Sequence, residues 1–490
     1  MDNIYKAFAM NIREKAVNSV LWSLGERFSV QGIKFIMFII LARLLSPEDF
    51  GLFGIISVFL LLADVFVDGG FGLAYIQKQE VNDLDANTVF YSNFVISIIF
   101  YLIIWLVAPF VSSFYSEPRL VHLLRVMGTA IIINAFVIIQ SSQLVRDIDF
   151  KRKAIITTWA IVLSGIIGIL AALNHIGVWS LILQAITQSL IIAIGFWFFN
   201  TWRPSLIFSR SSFNELFSFG GWMLGARLLS TIFDNIYTLT IGRLFTTSIL
   251  GFYTQSNKIQ QLLSNSLINT VSVVFFPIMR QYQNNPNKLQ SGLEKYLTHT
   301  LFVITPILLI LYINANQLVL LILTEKWLPM APYLQLLCVL GIMAPIHMGN
   351  IQVLMVQGFS KLNFKLTAIK GVLQIFNIFI SYRWGILFII YGQIIISIIA
   401  LFMNTYFTKI KINFGLMEQI KLLSPLIISA MVTLFIGFFI HKIIDGEIFA
   451  LFMSSSSIVF SFYILLYYFD KNFVLQFIDL IKGLKSPSSF

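Results

Sequence analysis

The chain has 490 residues, 58% of them hydrophobic and only 11% charged, with a mean hydropathy of +0.85. Soluble domains carry roughly 25% charged residues, so too few polar side chains are present to cover a water-facing surface, and the composition excludes a soluble fold in favour of an all-α polytopic membrane protein. The net charge of +11 comes mostly from basic residues in short loops between apolar runs, where it sets topology rather than binding nucleic acid. The single cysteine, Cys338, excludes an internal disulfide framework and a cysteine-rich metal site.

Residues 1–15 carry Lys6, Arg13 and Lys15, lead into an apolar segment with no small-residue cleavage site, and read as a retained cytoplasmic tail. A helix crossing the hydrocarbon needs about 20 mostly apolar residues. Such runs follow at residues 17–45, 50–76, 88–110, 120–144, 154–173 and 178–199, the predicted helices of an N-terminal lobe spanning 1–200. A second set at 213–244, 250–279, 297–323, 331–356, 362–382 and 386–407 makes a C-terminal lobe spanning 201–410. Two further runs, 422–440 and 449–469, and a cytoplasmic tail complete residues 411–490, for an expected total of about 14 helices. Turn residues such as Ser46-Pro47, Glu117-Pro118, Arg203-Pro204 and Asn285-Pro286 punctuate the runs. With the N-terminus inside, 22 Lys and Arg residues fall on the cytoplasmic side against 6 on the other, which places both termini in the cytoplasm.

Trp22, Leu24, Gly25, Arg27, Ile36, Arg43, Leu44 and Gly51 recur 200 positions later as Trp222, Leu224, Gly225, Arg227, Ile236, Arg243, Leu244 and Gly251. Matched Trp, Gly and Arg residues are rare between unrelated apolar helices, so the pattern reads as a duplication. Six spans separate the copies, an even number, so they are parallel repeats about a pseudo-twofold axis along the membrane normal. Transporters of that build bind substrate near the midplane between two lobes.

Ionisable residues inside spanning helices are costly and mark function by default. In the first helix Ser23, Arg27, Gln31 and Lys34 share one face, and Arg227, Thr231, Asp234 and Thr238 repeat that face in the seventh. The eighth helix adds Thr254, Lys258, Gln261, Asn265 and Ser272, and the fourth adds Arg125. Together they predict a cavity lined by cations and amides for an anionic, hydroxyl-rich cargo, with Arg27 and Arg227 clamping a phosphate from two sides. The alternative is interhelical pairing, with Glu26 neutralising a basic neighbour and Arg227 meeting Asp234. Asp64 and Asp68 stand one turn apart ahead of Gly69, Gly70 and Gly72. They read as a proton or Na⁺ coupling site, with Glu26 a further candidate, or as salt-bridge partners of first-helix cations. The glycines permit a close helix contact or a hinge. No phosphate-binding glycine loop is present, the longest hydrophilic stretch (280–296) is too short for a catalytic domain, and the five histidines are scattered. The expectation is a transporter that is not an enzyme, without cofactor or metal. Trp105, Trp179, Trp197, Trp202, Trp327 and Trp384 fall near predicted helix ends, as interface anchors do.

The run Leu41-Ala42-Arg43-Leu44-Leu45-Ser46-Pro47-Glu48-Asp49-Phe50-Gly51, followed by Val67-Asp68-Gly69-Gly70-Phe71-Gly72-Leu73-Ala74-Tyr75-Ile76-Gln77, resembles the polysaccharide transporter family. These are the O-antigen and lipopolysaccharide flippases of the multidrug/oligosaccharidyl-lipid/polysaccharide exporter superfamily. The resemblance extends over nearly the whole chain and includes the Gly251-Phe252-Tyr253 counterpart; family members commonly show Asp-Leu-Gly where this chain has Asp68-Gly69-Gly70. It implies a V-shaped two-lobe fold in a bacterial inner membrane that moves undecaprenyl-pyrophosphate-linked oligosaccharide outward by alternating access. By position in the lobe, it also implies a pyrophosphate role for Arg27 and Arg227. A lipid II flippase is a second reading; a multidrug antiporter is a third, although cationic cargo would call for an acidic, aromatic cavity. A membrane glycosyltransferase or polymerase would add a large external loop that this chain lacks, but such polymerases are candidate partners alongside membrane lipids. The basic asymmetry is checked by labelling: with Cys338 replaced, a cysteine at Lys151 should resist an impermeant maleimide in intact cells and react after permeabilisation, and labelling of intact cells would reverse the orientation.

Overall fold

A computed structural model describes residues 30–443 and 447–471, without the side chains of residues 219, 220, 222, 223, 442, 447 and 448. Ser23, Glu26 and Arg27, and the first four repeat-matched residues, Trp22, Leu24, Gly25 and Arg27, lie outside the described residues, as does the side chain of Trp222. Every regular element among the described residues is helical.

Two compact units divide the chain after Gly251. The first contains α1 (30–44), α2 (Pro47–Asp68), α3 (Phe71–Gln77), α4 (Asp83–Tyr115), α5 (Leu120–Met127), α6 (Thr129–Arg146), α7 (Phe150–Leu173), α8 (Trp179–Phe199) and α9 (Arg210–Leu244). The second begins within α10 (Thr247–Gln281). It continues through α11 (Pro286–Ile313), α12 (Ala315–Ile322), α13 (Ala331–Val356), α14 (Ser360–Ser381), α15 (Ile386–Ile412), α16 (Leu416–Ile443) and α17 (Glu447–Phe469). Among the described residues 12 helices are long and apolar enough to cross a membrane. The count of about 14 is not reached on apolarity alone: α9 has the length but carries Arg227, Asp234 and a run of hydroxyls, and only the second part of the first predicted span is described.

Helix ends follow local chemistry. Ser46 caps α2 in a reciprocal box with Asp49, and Pro47 sits at the first position, where its missing N–H costs nothing. Asn82 and Asp85 form the same box at α4. Basic residues satisfy the open carbonyls at the other ends. Arg146 donates to the carbonyls of Tyr75, Lys78 and Gln79 past α3, and Arg203 reaches the carbonyls of Trp197, Asn200 and Trp202 past α8. These two arginines therefore have a structural task as well as the topological one read from the sequence.

The span predicted at 50–76 is interrupted. Gly69 and Gly70 both take left-handed conformations, φ 52° and 75°, which ends α2 at Asp68 and restarts the chain as α3. In unit 1 the core beside this break gathers Phe71, Tyr75, Val89, Phe90, Ile139 and Leu216. Trp197 and Trp202 pack edge-on to Phe90 at 6.1 and 5.9 Å. In unit 2, Leu289, Leu293, Leu297 and Leu301 of α11 and Ile458, Phe462 and Leu466 of α17 repeat at four-residue steps. All are essentially buried in one cluster. Trp327 is fully buried, which removes it from the expected interface anchors; Trp384 is exposed.

The 200-residue repeat is also present in the fold. Residues 41–50 and 241–250 share the same helix, break and helix, with matching burial at nine of ten positions. The two restarting helices meet backbone to backbone. A Cβ on Gly51 would fall on the Thr247 carbonyl, and one on Gly251 would fall on the Pro47 carbonyl. Thr247 is the repeat counterpart of Pro47, so the contact is reciprocal. Since the obstruction is main chain and cannot swing aside, Gly51→Ala or Gly251→Ala should cost at least about 1–3 kcal/mol, read as a lower unfolding midpoint in detergent. Gly32→Ala, with open space around its Cβ, should be neutral or slightly stabilising.

Candidate functional site

Asp64 and Asp68 lie one turn apart on α2, and the structure gives each a partner from a different helix. Asp68 Oδ2 is 2.7 Å from Arg227 Nη1 of α9, and Asp64 Oδ1 accepts from Asn134 Nδ2 of α6 at 3.4 Å. The Arg227 and Asp68 charges also act on Asp64, so the three ionisable groups form one electrostatic cluster. The glycine break shapes its floor: a Cβ on Gly72 would sit 3.0 Å from Asp68 Oδ1 and 3.3 Å from Ser142 Oγ, closer than Cβ atoms usually come, so the glycine lets α3 lie tight against the carboxylate.

This pairing corrects two sequence alternatives. Arg227 bonds Asp68 rather than Asp234, whose exposed side chain lies two turns further along α9. The aspartates are not tied to Lys34, which is exposed on α1. The reason is register: α9 is held against the unit along its length. Phe213 and Phe217 lie on Phe71 at ring distances of 5.6 and 6.0 Å, and Tyr115 donates to the Leu239 carbonyl at 3.1 Å. Near the α9 start, Lys78 bridges Asp85 at 3.1 Å and Glu215 at 2.9 Å. Burial alone would lower the Lys78 ammonium, but the Glu215 and Asp85 carboxylates together raise it above the usual lysine value.

Accessibility separates the two pairs. The Asp85 side chain is 1% exposed, whereas Arg227 is 62% exposed. Lys78 is therefore committed to a buried carboxylate, while Arg227 keeps donors open to a second anion.

The remaining candidates lie elsewhere. Arg125 stacks over the Trp105 ring at 3.9 Å and donates to the Trp105 carbonyl, so α4 and α5 already engage it. In unit 2, Lys258, Gln261 and Asn265 form an exposed stripe on α10, while the opposite face turns Ser256, Gln260 and Ser264 inward. There Gln260 donates to Ser264 at 2.8 Å and Ser256 to the Met330 carbonyl at 3.2 Å. Sequence reasoning overlooked Asn134. Its signal was a lone amide in the apolar run 130–139, the criterion already applied to charges. Among the described residues no group of three His, Cys, Asp or Glu could hold a metal ion. A double-mutant cycle of Asp68→Asn and Arg227→Gln, followed by thermal unfolding, should give a coupling of about 1 kcal/mol; strictly additive effects would mean that the pair contributes nothing to folding.

A family model described as "Polysaccharide biosynthesis protein" matches residues 40–332. The chain is 25% identical over 454 residues to the lipopolysaccharide biosynthesis protein WzxC of Escherichia coli K12, covering 90% of each. It is 23% identical over 428 residues to the teichuronic acid biosynthesis protein TuaB of Bacillus subtilis, covering 86% of this chain and 88% of that one. Among solved structures, the inward-closed lipid II flippase MurJ superposes with a TM-score of 0.76 at 14% identity, covering 93% of this chain and 100% of that one. An inward-facing multidrug MATE transporter gives 0.58 at 14% identity, covering 79% of this chain and 98% of that one. At such identities these structures establish a shared fold.

Proposed function

Because the chain belongs to the polysaccharide biosynthesis protein family, we propose that it is a flippase that carries a lipid-linked oligosaccharide, joined through pyrophosphate, across the bacterial inner membrane. It is a multi-pass membrane protein; in this reading it performs no covalent chemistry and both termini are cytoplasmic. The observation that carries the mechanism is the accessible Arg227–Asp68 pair. A diphosphate offers the guanidinium the same geometry as a carboxylate with more charge, so it can take the place of Asp68 on Arg227. Displaced from its cation, Asp68 stands one turn from Asp64, and two neighbouring carboxylates without a counter-ion favour uptake of a proton or Na⁺. Cargo binding and ion binding are thereby linked through one arginine, which is what coupling requires. Arg27, the repeat partner of Arg227, supplies the second arm of the clamp, with Lys34 as a further cation on the same helix; in unit 2 the stripe of Lys258, Gln261 and Asn265 is by itself a set of donors suited to sugar hydroxyls. The cationic excess disfavours a drug antiporter's cationic cargo.

Loss of a charge-assisted contact costs about 1.5–3 kcal/mol, or roughly tenfold to hundredfold in binding. Arg227→Ala should therefore abolish surface glycan display in cells while the protein still reaches the membrane; normal display would remove the clamp. In proteoliposomes, Asp64→Asn and Asp68→Asn should each bring the ratio of flipping with and without an imposed proton or Na⁺ gradient close to one. An unchanged ratio in both would place coupling elsewhere.

A further inference from the structure

Arg125 has a task within unit 1 that occupies only part of its guanidinium. Pro109 lies inside α4 and has no N–H, so the carbonyl four residues earlier, on Trp105, is left without its helical donor. Arg125 Nε of α5 supplies a donor at 3.3 Å, and the guanidinium lies over the Trp105 ring at 3.9 Å. Among the described residues neither Nη atom has a protein partner and no carboxylate pairs with this side chain, so a permanent cation keeps most of its donors open.

The cation sits at the depth where a lipid headgroup ends. α4 has 33 residues and is about 50 Å long against roughly 30 Å of hydrocarbon, so a centred helix projects about 10 Å beyond it at each end. Trp105 lies about 15 Å from the end of α4 at Tyr115, just inside that boundary, where tryptophans concentrate. Its ring is exposed, and so are Leu102, Leu106 and Phe110 around it, as on a surface that faces lipid. Beside the cation the same helices leave a groove of about 140 Å³. Phe59, Leu62 and Phe66 of α2, Ile103 and Val107 of α4 and Leu124 of α5 line it, and every lining side chain is apolar. Leu124 directly precedes Arg125, and the lining Ile104 directly precedes Trp105, which puts the cation and its ring at the rim. An apolar slot with one cation at its rim matches a molecule with a hydrocarbon chain and an anionic head. The chain fills the slot, and the head meets the open Nη donors. A zwitterionic head offers the same phosphate but brings a cation of its own towards the arginine, so the site favours a head with net negative charge.

We propose that α2, α4 and α5 of unit 1 form a binding site for an anionic phospholipid, with one acyl chain in the groove and the headgroup phosphate on the Nη atoms of Arg125. Trp105 and its proline-freed carbonyl position the guanidinium, so the gap that Pro109 leaves in the α4 ladder sets where the lipid head is held. The site is separate from Arg227, Asp64 and Asp68, and its test needs neither cargo nor transport. The full chain is placed in nanodiscs holding a trace of phosphatidylglycerol or phosphatidylcholine with a diazirine in one acyl chain, photolysed, and mapped by peptide mass spectrometry. Phosphatidylglycerol should label segments 59–66 and 100–111 about fivefold more than phosphatidylcholine does. Arg125→Gln keeps an N–H for the Trp105 carbonyl and removes the charge. In that variant the preference should disappear from these segments, with labelling elsewhere unchanged. Val107→Trp, at an exposed lining position, should fill the groove and lower labelling of the same segments by both lipids. Equal labelling by the two lipids in the wild-type protein, or a preference that survives Arg125→Gln, would overturn the proposal and leave Arg125 as a bond between helices alone. Displacement of the label by an equimolar short-chain polyprenyl diphosphate would also overturn it, because the groove would then belong to cargo rather than to a resident lipid.

Discussion

A carboxylate at the end of a membrane helix has to find a positive partner, and much of the first unit is arranged around meeting that need for Asp68. The glycine pair at positions 69 and 70 stops α2 directly after the aspartate, where continuing the helix would carry the backbone past it. α3 then turns back under the carboxylate, and its Phe71 provides the surface on which the aromatic start of α9 lies. That contact sets the register that delivers Arg227 to Asp68. Remove any one of these steps and the cation on α9 would have to be satisfied by Asp234 or by water.

The charges of this unit fall into two kinds. Lys78 with Asp85, and Arg146 and Arg203 over helix-end carbonyls, close off groups that would otherwise be left open, and they are enclosed or saturated by several bonds. Arg227 is different: it makes one short bond and remains largely accessible. An ion pair that is accessible contributes little to stability, and for the same reason it can exchange partners at little cost. In the proposed mechanism that property lets the arginine take up cargo and give it back.

The repeat has a physical consequence at Gly51 and Gly251. Two helix starts that are repeat counterparts meet at equivalent positions, so whatever is small on one must be small on the other. Duplication supplies this self-complementarity without separate invention, and it explains why the turn before each helix keeps the same capping pattern, Ser46 in one copy and Thr246 in the other. In the second unit stability comes from apolar ridges at four-residue steps, beside which the hydrogen bond between His347 and Ser397 is one of the places where polarity is kept inside.

The helical class, the order of the spans, the repeat offset and the presence of Asp64, Asp68 and Arg227 as charges inside apolar helices were all legible in the sequence, because each is a local property: apolar run length, periodicity, or a charge among apolar neighbours. Which residue meets which was not legible. Asp234 and Lys34 were equally plausible partners on spacing alone, and only the packing of α9 on Phe71 selected Asp68 for Arg227. Asn134 was visible as a letter but carried no role until a neighbouring helix placed an aspartate beside it. The interruption at Gly69 and Gly70 was hidden by an apolar run that continues past it, since hydropathy records how greasy a segment is and not the sign of φ. Trp327 was misplaced for a related reason: proximity to a helix end is a sequence property, whereas burial depends on what folds over it. Interactions within one helix depend on spacing the sequence states outright, while those between helices depend on the depth and rotation at which each rod is packed, which only the assembled set of side chains determines.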